Sequence, residues 1–172
     1  VTSSPLQERT VTTRTGASVA IGPLVLSDHD ALYDLFADAV ASGDGYPQAP
    51  PLTRGMFDAT WVNPVTLAVA ARLDGAVVGA YYLKPNFPGR AAHIANAGYV
   101  VASAHRRAGI GRLLVEDSIG RAPLLGFDAI QFNLVFVTNP ARALYEELGW
   151  REIGRLPEAV EGEDAVIYWR RV

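Results

Sequence analysis

The stretch Arg106-Arg107-Ala108-Gly109-Ile110-Gly111-Arg112 decides how this 172-residue chain is read. Apolar, strand-like sequence precedes it at residues 93–101. A broad apolar arc at helical spacing follows it, with Ile110, Leu113, Leu114, Val115 and Ile119, up to about Ala122. The stretch is therefore a strand-to-helix turn. Its glycines let backbone N–H groups approach a ligand closely, and a helix N-terminus attracts anions. Arg106, Arg107 and Arg112 concentrate positive charge at the same place. These are the requirements for holding a diphosphate; the plain alternative is a basic turn with no ligand. Two nucleotide readings fail. A Walker A loop needs Gly-x4-Gly-Lys-Ser/Thr, and no such string occurs. A dinucleotide fingerprint needs a third glycine where Leu114 stands. The acid it expects about 20 residues further on falls near Asp128, ahead of a strand rather than at the end of one.

Working outward, Pro123 and Gly126 bound the helix, and residues 127–137 alternate so that Ile130, Phe132, Leu134 and Phe136 share one face. Residues 93–137 thus form a strand-helix-strand unit, which implies a right-handed parallel crossover. Asn139 is placed to cap a helix with Pro140 at its first position, running to Leu148 and stopped by Gly149. Residues 150–156 and 165–171 read as two closing strands. Upstream, apolar runs at 65–72 and 76–83 flank Asp74-Gly75 as a β-hairpin. Asp28 is a candidate cap for a helix to about Ala41, with Leu32, Leu35, Phe36 and Val40 on one stripe. Residues 42–51 (SGDGYPQAPP) force a loop, and a short helix is expected from Thr53 or Arg54 to Trp61. Residues 17–21 read as a short strand. The order β-α-α-β-β-β-α-β-α-β-β predicts an α/β (α+β) fold, a mixed sheet of about seven strands with about four helices. Residues 1–16 read as a flexible or irregular N-terminal arm, and 17–172 as one domain.

Composition narrows the function further. The chain has no cysteine, so a disulfide framework, a thiolate zinc site and a cysteine nucleophile are all excluded. The net charge of −3 argues against phosphate-backbone binding, and no nucleic-acid partner is expected. The most apolar region, 65–83, is interrupted by Arg72 and Asp74, short of the roughly 20 residues a membrane span needs. Val1-Thr-Ser-Ser-Pro5 shows no basic start followed by an apolar run, so the expectation is a cytoplasmic protein without a membrane partner. His29, His93 and His105 lack ligand spacing, and no metal is expected. Of fifteen basic residues fourteen are Arg and one, Lys84, is Lys; with the many alanines this points to GC-rich, bacterial coding.

Arg106-x-x-Gly109-x-Gly111 resembles the acyl-CoA pyrophosphate loop of the GCN5-related N-acetyltransferase (GNAT) family. A second segment, Asn139-Pro-Ala-Arg-Ala-Leu-Tyr145-Glu-Glu-Leu-Gly149-Trp150, resembles that family's Asn-x4-Leu-Tyr-x3-Gly-aromatic helix, at the family's spacing. The resemblance covers roughly residues 17–171. It implies a sheet that splays between the strand ending at Val101 and the strand through Asn133, with acetyl-CoA lying in the splay. Backbone groups of Tyr99, Val100 and Val101 would pair with the pantetheine arm. Arg106 and the amides of Arg107, Ala108, Gly109, Ile110, Gly111 and Arg112 would hold the pyrophosphate. Asn139 would bond to the pantetheine, and Tyr145 would be the catalytic residue near the thioester sulfur. The chemistry of Tyr145 has its own basis: a leaving thiolate benefits from a proton donor, and a phenol stays protonated at neutral pH. Against that, Ala141, Leu144, Tyr145 and Leu148 form an apolar stripe in which a tyrosine is ordinarily core.

Two asparagines in strands, Asn96 and Asn133, must find partners, because burying an unpaired amide costs roughly 1–3 kcal/mol. Their surroundings, together with Gly45-Tyr46-Pro47-Gln48, resemble a narrower branch that includes the yeast N-acetyltransferase of proline analogues such as azetidine-2-carboxylate. That resemblance implies that Asn96, Asn133 and Tyr46 bind the acceptor. No carboxylate stands in the strand at 93–101, and the catalytic base is unassigned. The resulting expectation is transfer of acetyl from acetyl-CoA to the amine of a small molecule, an amino acid or analogue, by direct attack in a ternary complex, in a family where homodimers are frequent. The alternatives are a non-catalytic acyl-CoA sensor, a ligand-free interaction domain and, among enzymes, an acetyltransferase of protein N-termini or antibiotics.

Overall fold

A computed structural model describes residues 6–43 and 45–172. One eight-stranded sheet runs in the order β1-β2-β3-β4-β5-β6-β8-β7. Its strands are β1 (Arg9–Thr12), β2 (Ser18–Pro23), β3 (Leu67–Leu73), β4 (Ala76–Pro85), β5 (Ile94–Val101), β6 (Ala129–Phe136), β7 (Arg151–Val160) and β8 (Glu163–Arg171). Every neighbouring pair is antiparallel except β5 and β6, which the crossover through α3 (Ile110–Arg121) makes parallel. The remaining helices are α1 (His29–Ser42), α2 (Arg54–Trp61) and α4 (Arg142–Glu147). The β3–β4 hairpin turns on Asp74 and Gly75, both at positive φ (49° and 82°), as a two-residue turn of this twist requires.

The sheet separates two cores. Tyr81, Leu83, Ala95 and Ala97 pack with Ile110 and Leu114 of α3. The alternate residues Ala80, Tyr82 and Val100 pack with Leu32 and Phe36 of α1 and with Phe57 and Trp61 of α2. Strand alternation thus gives β4 and β5 an α1/α2 face and an α3 face.

Three expectations are corrected. The N-terminal arm is not irregular where it is described: Arg9–Thr12 form β1 against β2, while residues 1–5 lie outside the described residues. Long-range ion pairs hold it. The Arg9 guanidinium meets the buried Asp117 at 2.6 Å, and Asp117 also receives Arg121 Nε and the Tyr81 hydroxyl, each at 2.7 Å. Glu8 pairs with Arg72 at 2.8 Å. Strand β1 is what raises the count from seven to eight. Second, alternation fails within β6. Phe132 faces Tyr168 and Val135 faces Val166, so two β6 residues, Asn133 and Leu134, stand opposite one β8 residue. This β-bulge sends Val135, rather than Leu134, into the core beside Phe132. Third, Asp28 does not cap α1 with its side chain. Burial pushes its carboxyl up, but hydrogen bonds from Arg72 and the Val25 N–H outweigh this and hold it below the ordinary range. Among the described residues, no helix is long and apolar enough to cross a membrane.

Candidate active site

Strands β5 and β6 pair only over Ile94–Asn96 and Ala129–Gln131, then diverge. From Ala97 to Val101 the β6-facing edge of β5 carries no ladder. The gap opens into a cleft of about 530 Å³, lined along β5 from Asn96 to Val101 and across from it by Phe132–Phe136 and the start of α4. Five residues of strand put its two ends roughly 17 Å apart.

One end meets the N-terminus of α3. Gly109 stands at φ 82° as the residue before the helix, and the amides of Ile110, Gly111 and Arg112 have no intrahelical acceptor. Gly111 and Arg106 line the cleft. Ile110 is buried and anchors the first turn in the core. Arg107, at φ 65°, and Ala108 form the bend before it. The N-terminal segment braces this loop: the Thr15 hydroxyl donates to the Ala108 carbonyl at 2.8 Å, and a Cβ on Gly109 would sit 3.3 Å from Thr13 Cβ. The Arg112 side chain departs from the expected picture. Its guanidinium is held by Glu147 of α4 and, at 3.3 Å, by Glu116, so only its backbone is offered to a ligand. The Glu147 hydrogen bond raises its already high pKa.

Tyr99, Val100 and Val101 line the middle of the cleft. The Tyr46 hydroxyl donates to the Tyr99 carbonyl at 2.9 Å, which shows that this carbonyl points away from β4. Asn139 accepts the Ala141 N–H through Oδ1 at 2.9 Å, leaving its Nδ2 beside Gly45 in the cleft wall. The helix it precedes is assigned from Arg142, two residues later than expected. Tyr145 is packed as a core residue and still reaches the cleft. Its ring packs against Phe132 (4.8 Å between centroids), Trp150 and Tyr168. Its hydroxyl has no partner among the described residues, and the side chain lines the cleft. Burial pushes its pKa up, so the phenol is protonated at any working pH.

The other end is built from amides. Asn96 donates to the Gln131 carbonyl at 3.1 Å and accepts from the Tyr82 hydroxyl at 3.3 Å. Asn133, in the bulge, exchanges a pair of hydrogen bonds with Asn86 at 3.1 and 2.6 Å and also accepts from Gln131 at 2.9 Å. The Tyr82 ring crosses β5 at Gly98, where a Cβ would stand 2.6 Å from Cε1; only glycine fits. The structure therefore brings Asn96, Asn133, Tyr46, Asn139 and Tyr145 into one cleft. His93 is elsewhere, exposed and bonded to the Arg90 carbonyl at 3.0 Å. Sequence reasoning did not place Tyr82 and Lys84 in the cleft wall, nor Asn86 and Gln131 against Asn133. The one available signal was that Lys84 is the only lysine in an arginine-rich chain.

The acetyltransferase (GNAT) family profile matches residues 30–150. Over 85 residues the chain is 44% identical to the N-acetyltransferase aca1 of Schizosaccharomyces pombe, covering 49% of this chain and 41% of that one. The chain spans less than half the length of the curated relatives it matches. Among solved structures, a GCN5-related N-acetyltransferase from Kribbella flavida aligns with a TM-score of 0.83 at 34% identity, covering 90% of this chain and 98% of that one. A GNAT superfamily phosphinothricin acetyltransferase from Sinorhizobium meliloti, in complex with acetyl-CoA, shares the fold with a TM-score of 0.77 at 21% identity, covering 90% and 88%.

Proposed function

The chain belongs to the acetyltransferase (GNAT) family, and from that premise we propose that it transfers acetyl from acetyl-CoA to the amine of a small molecule, an amino acid or analogue, in a ternary complex. The observation that carries the reading is the parted sheet, whose opening runs from the unpaired amides of α3 to the Tyr145 hydroxyl.

In this reading the diphosphate of acetyl-CoA rests on the amides from Arg107 to Arg112, with Arg106 alongside. The pantetheine arm takes the place of a strand on the open edge of β5, pairing with Tyr99–Val101, while Asn139 donates to it from the opposite wall. Tyr46 yields the Tyr99 carbonyl as the arm enters, and its hydroxyl then faces the acceptor. The acceptor approaches from the α1/α2 face, where Asn96 and Tyr82 stand, and the cofactor from the face of α3 and α4. The two reactants meet through the opened sheet, and holding them together supplies much of the acceleration.

The amine nitrogen attacks the thioester carbonyl, with the N–H of Val101 stabilising charge on the carbonyl oxygen. The C–N bond forms, the C–S bond breaks, and the proton lost by the amine ends on the sulfur. Tyr145 assists departure as a hydrogen-bond donor. Complete transfer from a phenol with its pKa at or above about 10 to a thiolate whose acid has a pKa near 8.5 is uphill by at least about 2 kcal/mol, so the phenol keeps its proton or passes it on only as the amine's proton replaces it. The cytoplasm is the compartment where this reaction finds both reactants.

A screen of amines for free-thiol release from acetyl-CoA tests the proposal. Release with amino acids or their analogues is the expected result. Acetyl-CoA binding without release from any amine overturns it in favour of a sensor, and no binding at all overturns it in favour of a ligand-free domain.

A further inference from the structure

Lys84, the only lysine of the chain, stands in the acceptor end of the cleft. It is directly opposite Asn96 in the β4–β5 ladder and two residues from Tyr82, so the three share the α1/α2 face. Its ammonium lies 5.0 Å from the centroid of the Tyr82 ring. It makes no ion pair with any described residue, and no described carboxylate lines the cleft. Asn96, its ladder partner, is a neutral amide.

A half-buried ammonium has given up part of its hydration, and the face of one ring returns only a fraction of it. Burial accordingly lowers the pKa of Lys84. Among the described residues that line the site there is no anion. The cofactor's phosphates do not supply it, because the α3 amides lie beyond the far end of β5, roughly 17 Å from Asn96. The acceptor is what remains. A cationic acceptor such as a polyamine would meet repulsion here and no described carboxylate to offset it, whereas an acceptor bearing a carboxylate completes an ion pair in a partly desolvated place, where such a pair is strong.

We propose that Lys84 binds the carboxylate of the acceptor, which makes the substrate class free amino acids rather than plain amines, polyamines or amides; this rests on the acetyl-transfer reading above. Asn96 and Asn133 then flank the amine end of a molecule whose acid end is fixed by Lys84.

The test pairs each α-amino acid with its own primary amide, which keeps the amine and side chain and loses the carboxylate. The amide's amine is the weaker base and is more fully deprotonated at neutral pH, so a preference for the acid cannot come from amine ionisation. Binding to the CoA-loaded protein is followed by calorimetry and turnover by thiol release, for wild type, Lys84→Met and Lys84→Arg. Wild type is expected to favour the acid by about tenfold or more in Kd and KM. Lys84→Met should erase that preference, and Lys84→Arg should keep part of it. A wild type that takes amides as readily as acids, or a preference that survives in Lys84→Met, overturns the anchor and leaves acetyl transfer standing. Acid binding that Lys84→Met abolishes, in a wild type that releases no thiol with any amine, supports the anchor and overturns acetyl transfer. If Lys84→Met fails to fold, the wild-type acid–amide comparison still overturns the anchor when no preference is seen, and a preference weakened in Lys84→Arg ties it to this position.

Discussion

The two ends of the cleft are made of different material. At the α3 end, what faces a ligand is mainly backbone: unpaired amides on a turn set by Gly109 at φ 82°, with the Arg112 guanidinium already committed to Glu147 and Glu116. At the β4–β6 end, what lines the cleft is side chain: Lys84, Asn96 and Asn133, brought together from three strands. A backbone cradle recognises a group shared by every cofactor molecule, and its sequence needs are few. A side-chain wall can be rewritten one residue at a time without disturbing the cradle, which suits the end proposed to select the acceptor.

Four substitutions press on this contrast. The largest effect is expected from Gly109→Val. A β-branched residue is strained at that φ, and its Cβ would crowd Thr13, so acetyl-CoA affinity measured by calorimetry should fall by about 100-fold. Retained affinity would mean that the turn is not the cradle. Tyr145→Phe removes one hydroxyl at the junction of the two ends. It should lower kcat roughly 50-fold while both KM values stay put, the signature of a hydrogen bond made in the transition state; unchanged turnover would strip Tyr145 of its role. Asn96→Ala should raise the acceptor KM about tenfold and leave that of acetyl-CoA alone. Equal changes in both would erase the division between the ends. The smallest effect is expected from Arg112→Gln. If the α3 end works through backbone, acetyl-CoA affinity should change less than about threefold, because an exposed ion pair is worth little. A tenfold loss would show that the guanidinium leaves Glu147 for the diphosphate, and the contrast would weaken.

The same division explains what could be read in advance. The α3 turn was legible because its requirement is local: glycine where φ is positive, directly before an apolar helical arc. The parallel crossover followed from the same segment. The hairpin at Asp74-Gly75 and the helix opened by Thr53, whose hydroxyl accepts the Met56 N–H at 3.2 Å, are likewise short-range. Strand β1 was not legible. Four residues carry little pattern of their own, and its anchors, Asp117 to Arg9 and Arg72 to Glu8, lie 108 and 64 residues away. Arg112 read as free charge because Glu147, 35 residues on, is brought to it only by the packing of α3 and α4. Lys84 and Asn86 sit in and beside a strand that reads as ordinary sheet. Only its pairing with β5, and the approach of β6, turn them toward Asn96 and Asn133. Tyr145 was legible as two competing roles; its ring takes the core position, and its place in the cleft wall leaves the proposed catalytic role to the test above.

The extra residue in β6 has one more consequence. Deleting a single residue between Phe132 and Val135 would let β6 and β8 zip in unbroken register, which is the more regular arrangement of hydrogen bonds. It would also erase the kink that presents Asn133 to solvent-filled space. Selection for a tidier, sturdier sheet and selection for a working acceptor wall therefore pull against each other at this spot, and thermostabilised descendants of this protein obtained without regard to turnover should lose their irregularity here first.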